Sequence, residues 1–376
     1  MSANSHHINV MIVAPSVLVR QMLSRILKGE RNISDLYAMG NSENDTTLLE
    51  IEKRSPDLLF LSLDSVHSRE IWLLKSIINM HPEIPVVLLT PLNSQGAQAA
   101  LFGLKMGALD YITIPENNHG VVLAERHFRK RIVPLIKALP KINMRAGIGN
   151  QIFLSQTSSV STQSKSTQKG PFELIVISGC LGGVQSLYEL LSSLNDQIPV
   201  PVIIVQHMPK IYTREFAADL DLITPLNVRE AEQNSILLPG QVYVAPGGFH
   251  TVIKNRGRRQ VINKHRGPRE MKFRPSIDVL LKSAVNFYQG RVLGVFLSGG
   301  GEDGVRGAEK LLAAGGEVLL ESGKSSRIWD LPGNVQSIDS SIPQYHSHQL
   351  GREILKRIMR PKKSAKTAVH SKVPNH

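Results

Sequence analysis

At 376 residues the chain is too long for one ordinary hydrophobic core, and its 41% hydrophobic, 20% charged composition is that of a globular protein with two domains. No apolar run approaches the ~18 residues that cross a bilayer, MSANSHHINV lacks a signal-peptide pattern, and a single cysteine excludes an intrachain disulfide, so a cytoplasmic protein without membrane insertion is expected. The net charge of +13 would attract nucleic acid, anionic membrane or acidic protein, but no nucleic-acid-binding motif accompanies it, so a solvated basic surface and tail is the simpler reading.

In chain order, INVMIV (8–13) is a short apolar run and LVRQMLSRIL (18–27) has helical spacing. DLLFLSL (57–63), IPVVLLT (84–90) and DYITI (110–114) read as further strands, with helices up to about residue 80, at GAQAALFGLKMGA (96–108) and at GVVLAERHFRKRIVPLIKAL (120–139). Short apolar strands alternating with helices predict a parallel α/β sheet. SQTSSVSTQSKSTQKG (155–170) holds almost nothing apolar and reads as a flexible linker. The alternation then restarts with ELIVIS (173–178), GVQSLYELLSSL (183–194), VPVIIVQH (200–207) and YTREFAADLDLI (212–223). GQVYVAPGGFHTVIKNRGRRQVINKH (240–265) has hairpin-like patterning; helix SIDVLLKSAVNFY, strand RVLGVFLSG, loop GGEDG, helix VRGAEKLLAAG and strand EVLLES follow. Basic stretches occur at 126–131, 254–260, 264–274 and 356–366. The expected divisions are 8–140, a linker at 141–170, 171–358, and a basic tail at 359–376.

Three chemically capable residues follow predicted parallel strands: Cys180 after LIVISG, His207 after VIIVQ, and Asp303 after VLGVFLSGGGE. Ligand crevices of open α/β sheets form outside those strand ends, so a nucleophile, a base and an orienting carboxylate could converge there. Gly179, Gly182 and Gly183 would permit a tight turn with amides facing an oxyanion, and Gly299 to Gly301 a close loop approach. On the residues alone, a buried structural cysteine, a structural histidine and a turn aspartate remain open.

Residues 173–335 resemble the catalytic domain of chemotaxis-type protein-glutamate methylesterases, the CheB family. VISGCLGGVQSL, VIIVQHMP, FAADLD, LLPGQVYVAPGGFH, FRPSIDVLLKSA, VLGVFLSGGGEDGVRGAEKLLAAGG and the LPG after Trp329 occur in family order. The resemblance implies a doubly wound hydrolase that cleaves methyl esters of receptor glutamates, and can deamidate glutamines, without metal or other cofactor. It assigns the base to His207 and the orienting carboxylate to Asp303. Cys180 stands where the family keeps a serine, and Leu181 where it keeps a threonine. Leu181, Gly182, Gly300 and Gly301 would form or support the oxyanion loop, His250 would support the site, and Arg274 would anchor its own loop. A thiol paired with imidazole ionises near neutral pH and can attack an ester. Its longer bonds to carbon matter, because a misplacement of about 1 Å can cost on the order of 10²-fold. Methyl-accepting chemotaxis-type receptors or other signalling proteins are the implied partners.

Residues 8–135 resemble a response-regulator receiver, a flavodoxin-like fold, through NVMIVAPSVLVRQML, RSPDLLFLSLDS, IPVVLLT and ALFGLKMGALDYITIP. The receiver's acidic pair is replaced by Ala14 and Pro15, its phospho-acceptor by Ser62 and its lysine by Ile114; Thr90 remains at the switch hydroxyl position. Asp64 lacks partner carboxylates for Mg²⁺. Aspartyl phosphorylation is therefore not expected, and the first domain would be a fixed lid, a docking module or a dimerisation surface. Two alternatives to an active esterase are a catalytically silent scaffold and a basic nucleic-acid-associated regulator.

Overall fold

The structure, a computed structural model, describes residues 7–40, 44–115, 120–142, 144, 172–194 and 198–359. The expected linker and basic tail fall almost wholly outside the described residues. The first half runs β1 (Ile8–Val13), α1 (Val17–Lys28), β2 (Ile33–Met39), α2 (Asn44–Arg54), β3 (Leu58–Ser62), α3 (Glu70–Met80), β4 (Val86–Pro91), α4 (Ser94–Met106), β5 (Asp110–Ile114) and α5 (Gly120–Ala138). All five strands are parallel, in the flavodoxin-like order β2-β1-β3-β4-β5. The central strands β1, β3 and β4 are continuous apolar runs because both their faces are covered. The strand absent from the sequence pattern is β2, whose ISDLYAM lies at the sheet edge and leaves several side chains exposed.

The second half runs β6 (Leu174–Gly179), α6 (Gly183–Ser192), β7 (Val202–Gln206), α7 (Lys210–Ile223), β8 (Asn227–Glu230), β9 (Gln241–Val244), β10 (His250–Arg256), β11 (Arg259–His265), α8 (Ile277–Tyr288), β12 (Val292–Phe296), α9 (Val305–Ala313), β13 (Glu317–Glu321), α10 (Asp330–Gln336), β14 (Gln344–Tyr345) and α11 (Ser347–Ile358). Seven parallel strands form one sheet in the order β14-β13-β12-β6-β7-β9-β8. The hairpin expected over 240–265 is narrower: β10 and β11 pair antiparallel, while β9 joins the main sheet beside β7 and β8. Its short buried run QVYV carries no period that separates these two pairings.

Alternate residues of each strand face opposite layers. Ile175, Ile177, Ile204 and Val295 join the cluster that holds α6, α7 and α11, whereas Leu174, Val176, Ile203 and Phe296 join α8 and α9. After β6 the chain builds outward through β7 and returns to β12 on the other side of β6. That reversal opens a crevice outside the C-terminal ends of β6, β7 and β12. The halves share an apolar layer, in which α4 packs on α7 and Leu101, Leu104 and Tyr111 meet the cluster of Leu187, Tyr212 and Phe216.

Candidate active site

Every residue of β6 is buried, and the chain then turns through Cys180, Leu181 and Gly182 into α6. Gly182 has φ +73°, and a Cβ there would lie 3.0 Å from Ser298 Oγ and 3.2 Å from Arg327 Cβ, so the turn needs glycine twice over. The bend is fastened on both sides. The Cys180 amide donates to the Ser298 carbonyl at 3.1 Å, and the Cys180 carbonyl accepts from Gly183 N at 3.0 Å and Gln206 Nε2 at 2.7 Å. The amides of Cys180 and Gly183 are therefore already engaged, which leaves the oxyanion role expected of Gly183 to other donors. Gly299 packs on the bend, where a Cβ would lie 2.8 Å from Cys180 Cβ, and Gly300 and Gly301 follow it with open space where a Cβ would stand.

His207 follows β7, and Asp303 lies in the loop after β12. His207 Nδ1 is 3.2 Å from Cys180 Sγ, and His207 Nε2 donates to Asp303 Oδ2 at 2.9 Å. Asp303 is held by the start of α8: Oδ1 accepts from Ser276 Oγ at 2.7 Å and Asp278 N at 3.3 Å, and Oδ2 from Ile277 N at 2.8 Å. A carboxylate at a helix N-terminus meets unpaired amides and the positive end of the helix dipole. The Phe273 ring stacks on the His207 ring at 3.8 Å between centroids. Cys180 and His207 are each 8% exposed, and Asp303 2%.

Electrostatics follow from this geometry. Burial pushes the Cys180 thiol up, but the His207 charge and hydrogen bond, the Arg131 charge and the Leu181 amide outweigh it and lower the pKa. Burial works against the His207 imidazolium, yet the Cys180 charge and the bonds to Asp303 and Cys180 bring it up to about 9. Burial also raises Asp303, and the His207 bond and charge with Ser276 and Ile277 reverse it, so its pKa is lowered. The thiol pKa is lowered and the imidazole pKa raised, and both shifts favour a thiolate–imidazolium pair beside an ionised carboxylate.

The first half closes over this bend. Leu181 packs against the apolar cluster of α1 and α5, which contains Phe128 and Ile132. Arg327, buried beside Gly182, donates through one guanidinium nitrogen to the carbonyls of Gly107 and Ala108 just past α4, each at 2.9 Å. Tyr111 stacks on Tyr212 at 4.7 Å, and Tyr212 Oη donates to the Pro91 carbonyl and accepts from Thr90 Oγ1, both at 2.8 Å. Lys105 reaches Asp219 at 2.5 Å, and Gln98 reaches Glu215 at 3.0 Å.

The sequence profile described as CheB methylesterase matches residues 175–354. A protein-glutamate methylesterase/protein-glutamine glutaminase of Trichodesmium erythraeum is 32% identical over 351 residues, 93% of this chain and 98% of that protein. The chain belongs to the CheB protein-glutamate methylesterase family. A relative of the same name from a Nocardioides species is 32% identical and covers 95% of this chain and 97% of its own. The crystal structure of the Thermotoga maritima CheB methylesterase catalytic domain aligns with 49% of this chain and 98% of that chain, at 29% identity and a TM-score of 0.48.

In this CheB-family chain the residues singled out in the receiver-like half, Ala14, Pro15, Ser62, Thr90 and Ile114, stand at the strand ends of the first sheet. Ala14, Ser62 and Thr90 are buried, and Ile114 packs on the apolar layer of α5. The Arg20 guanidinium donates to the carbonyls of Ala14 and Pro15 at 2.5 and 2.9 Å. Asp64 is exposed beyond Ser62, with its pKa raised by partial burial and then by Glu70. Among the described residues no group of three His, Cys, Asp or Glu is arranged to hold a metal ion, and no helix is long and apolar enough to cross a membrane.

His250 stands apart from the hydrogen-bonded line: its Nε2 lies 2.7 Å from the Pro268 carbonyl, and its ring 5.3 Å from that of His265. Arg274 donates to the carbonyls of Arg266 and Gly267, which pins the loop beside His250. Sequence reasoning missed Gln206, Phe273, Ser276, Ser298, Glu321 and Arg327. Ser276 was accessible as the cap before IDVLL, where it accepts from Val279 N. Glu321, fully buried, accepts from Ser298 N at 2.7 Å and braces the loop behind the nucleophile; burial brings its pKa up to about 7. Nothing local in the sequence marks that contact.

Proposed function

We propose that this protein is a carboxylic ester hydrolase that removes methyl groups from glutamyl esters of methyl-accepting chemotaxis-type receptors, in the cytoplasm, and that it can hydrolyse the side-chain amide of glutamine. The observation that carries the reading is the continuous line Cys180 Sγ–His207–Asp303 at 3.2 and 2.9 Å. The Cys180 thiolate attacks the ester carbonyl and forms a C–S bond. Methoxide leaves with the proton of His207 Nδ1, as methanol. The resulting thioester is attacked by water, whose proton passes to His207, and the carboxylate departs as the C–S bond breaks. Asp303 keeps Nε2 protonated and so aims Nδ1 at the sulfur throughout. Leu181, Gly182, Gly300 and Gly301 would shape the oxyanion side, and the backbone amides that remain free there would be its donors.

The first domain, 8–140, acts as a lid on 171–358. Its contacts at Leu181 and Arg327 support this, and the loss of carboxylates at Ala14, Pro15 and Ser62 means that phosphate does not release it. The direct test is methanol release from methylated receptor by wild type, Cys180→Ala and Cys180→Ser. Turnover lost in Cys180→Ala supports the reading; a wild type silent on several methylated receptors, with the lid removed as well, replaces it with the scaffold.

A further inference from the structure

The basic stretch 264–274 reads in the sequence as a solvated surface, yet it leads from β11 directly into the site. At its far end Phe273 lies on the His207 ring, and Ser276 and Ile277 hold Asp303. Gly248 N donates to the Arg274 carbonyl at 3.0 Å, and Arg274 ties back to Arg266 and Gly267, so the loop is fixed at both ends. Between those anchors Arg266, Arg269 and Lys272 are exposed. Phe273 N donates to the Glu270 carbonyl at 2.7 Å, closing a turn whose two central residues, Met271 and Lys272, have φ of 46° and 74°. Such consecutive left-handed residues without glycine are strained, and strain of this kind gathers where a side chain must be presented.

The charge on this rim is largely unanswered. Lys264 and Arg266, with Lys210 from α7, surround the Phe249 ring at 5.6, 4.9 and 6.0 Å. Among the described residues none of these cations, nor Arg269 or Lys272, forms a salt bridge with a carboxylate. Glu230 and Glu232 share a cleft of about 1040 Å³ with Lys210 and Lys264, so the charge on that side is mixed. Arg266, Arg269 and Lys272 lie outside that cleft and face Glu270 alone on their own loop.

We propose that the loop Lys264–Arg274 is the substrate-reading rim of this active site, and that it takes acidic side chains flanking the glutamyl ester on a protein substrate. The proposal rests on the esterase reading and narrows its substrate class. Cations placed around a buried nucleophile raise the encounter rate with acidic segments and disfavour basic ones, and the effect weakens with salt.

The test uses the full chain and two synthetic peptides that carry the same γ-glutamyl methyl ester, one with Asp and Glu flanks and one with Ser and Gln flanks. The readout is the ratio of the two kcat/KM values. In wild type the acidic peptide is expected to be preferred by about tenfold at low salt, with the preference shrinking at 0.5 M NaCl, as for a screened surface interaction. In R266S/R269S/K272S the ratio should approach one. A ratio near one in wild type, or a preference intact in the triple variant, overturns the proposal. If neither peptide turns over, that counts against the esterase reading alone and not against the rim. Anisotropy of the labelled peptides then decides the rim: tighter binding of the acidic peptide, lost in the single variant Arg269→Glu, sustains it, and equal binding sinks it. A duplex oligonucleotide that binds through the same cations at physiological salt while the acidic peptide does not would also overturn it.

Discussion

The two halves of this chain are parallel α/β sheets, and in each the residues at issue stand at the C-terminal ends of strands. In the second sheet those ends hold Cys180, His207 and Asp303, joined by hydrogen bonds. In the first they hold Ala14, Ser62, Thr90 and Ile114, and an arginine sits on the carbonyls of Ala14 and Pro15. The sheet itself is intact in both. Packing depends on the apolar strand residues, while chemistry depends on a few side chains at the rim, so one can be exchanged without disturbing the other. Thr90 illustrates the exchange, for its hydroxyl is bonded to Tyr212 of the other half. That hydroxyl helps to hold the halves together.

If the second site is chemically competent, its members act as one unit. His207→Ala and Asp303→Asn should each lower kcat by about 10³-fold or more, Cys180→Ala should abolish turnover, and the losses should not add. Methanol release from methylated receptor measures them. Additive losses, or a Cys180→Ala that keeps wild-type turnover, would break the contrast between the two strand-end sites.

The contact between the halves gives the next largest effect. Arg327 donates charged hydrogen bonds from a buried position, and each such bond contributes roughly 1.5–3 kcal/mol. Arg327→Ala should therefore shift the lid towards open and raise turnover by about 10- to 100-fold where closure limits access. Tyr212→Phe, which removes the hydroxyl between Thr90 and Pro91, should act in the same direction and more weakly. Unchanged turnover in both variants, with the fold intact by circular dichroism, would show that the first half does not restrict the site.

Much of this was legible in the sequence, but unevenly. The apolar runs of β1, β3, β4, β6, β7 and β12 announce buried parallel strands, and the strand-end positions of Cys180, His207 and Asp303 follow from them. The edge strands β2 and β8 escaped notice because exposure mixes polar residues into them. Contacts between the two halves, and those of loops with distant strand ends, were not legible. Arg327 to Gly107 spans 220 positions, and Phe273 on His207 joins a basic loop to a strand end. Local pattern reports period and capping; it says nothing of which distant surface a loop will meet.

A smaller effect concerns the thiol. The pKa of Cys180 is lowered by the His207 charge and hydrogen bond, and that of His207 is brought up to about 9, so both shifts favour the thiolate–imidazolium pair. The direction for a lowered acid is that its charged form is present above the shifted value and lost as pH falls through it. Iodoacetamide labelling of Cys180 should hence rise less steeply between pH 6.5 and 8.5 than that of a free thiol with a pKa of ~8.5, whose thiolate fraction climbs severalfold per unit over that window. His207→Ala should restore the steep profile, and Arg327→Ala should speed labelling without changing its shape. A steep wild-type profile would mean that the imidazole does not tune the sulfur.

The smallest expected effect is none. Beryllofluoride with Mg²⁺ should leave the spectra of the protein and its esterase rate unchanged. A Mg²⁺ ion in such a pocket is held by carboxylates and oxygens at near-octahedral geometry, and the positions that would supply them carry Ala14, Pro15 and Ser62. The Arg20 guanidinium bound to the Ala14 and Pro15 carbonyls adds a fixed positive charge that opposes a divalent cation there. Ile114 provides no cation for the fluoride ligands, and Thr90 already donates its hydroxyl hydrogen to Tyr212. Asp64 is a carboxylate two residues beyond Ser62, and its raised pKa reflects partial burial and repulsion by Glu70. A saturable, Mg²⁺-dependent response abolished by Asp64→Asn would therefore overturn the contrast, because it would make the first sheet a working phosphate sensor with its acceptor displaced by two residues.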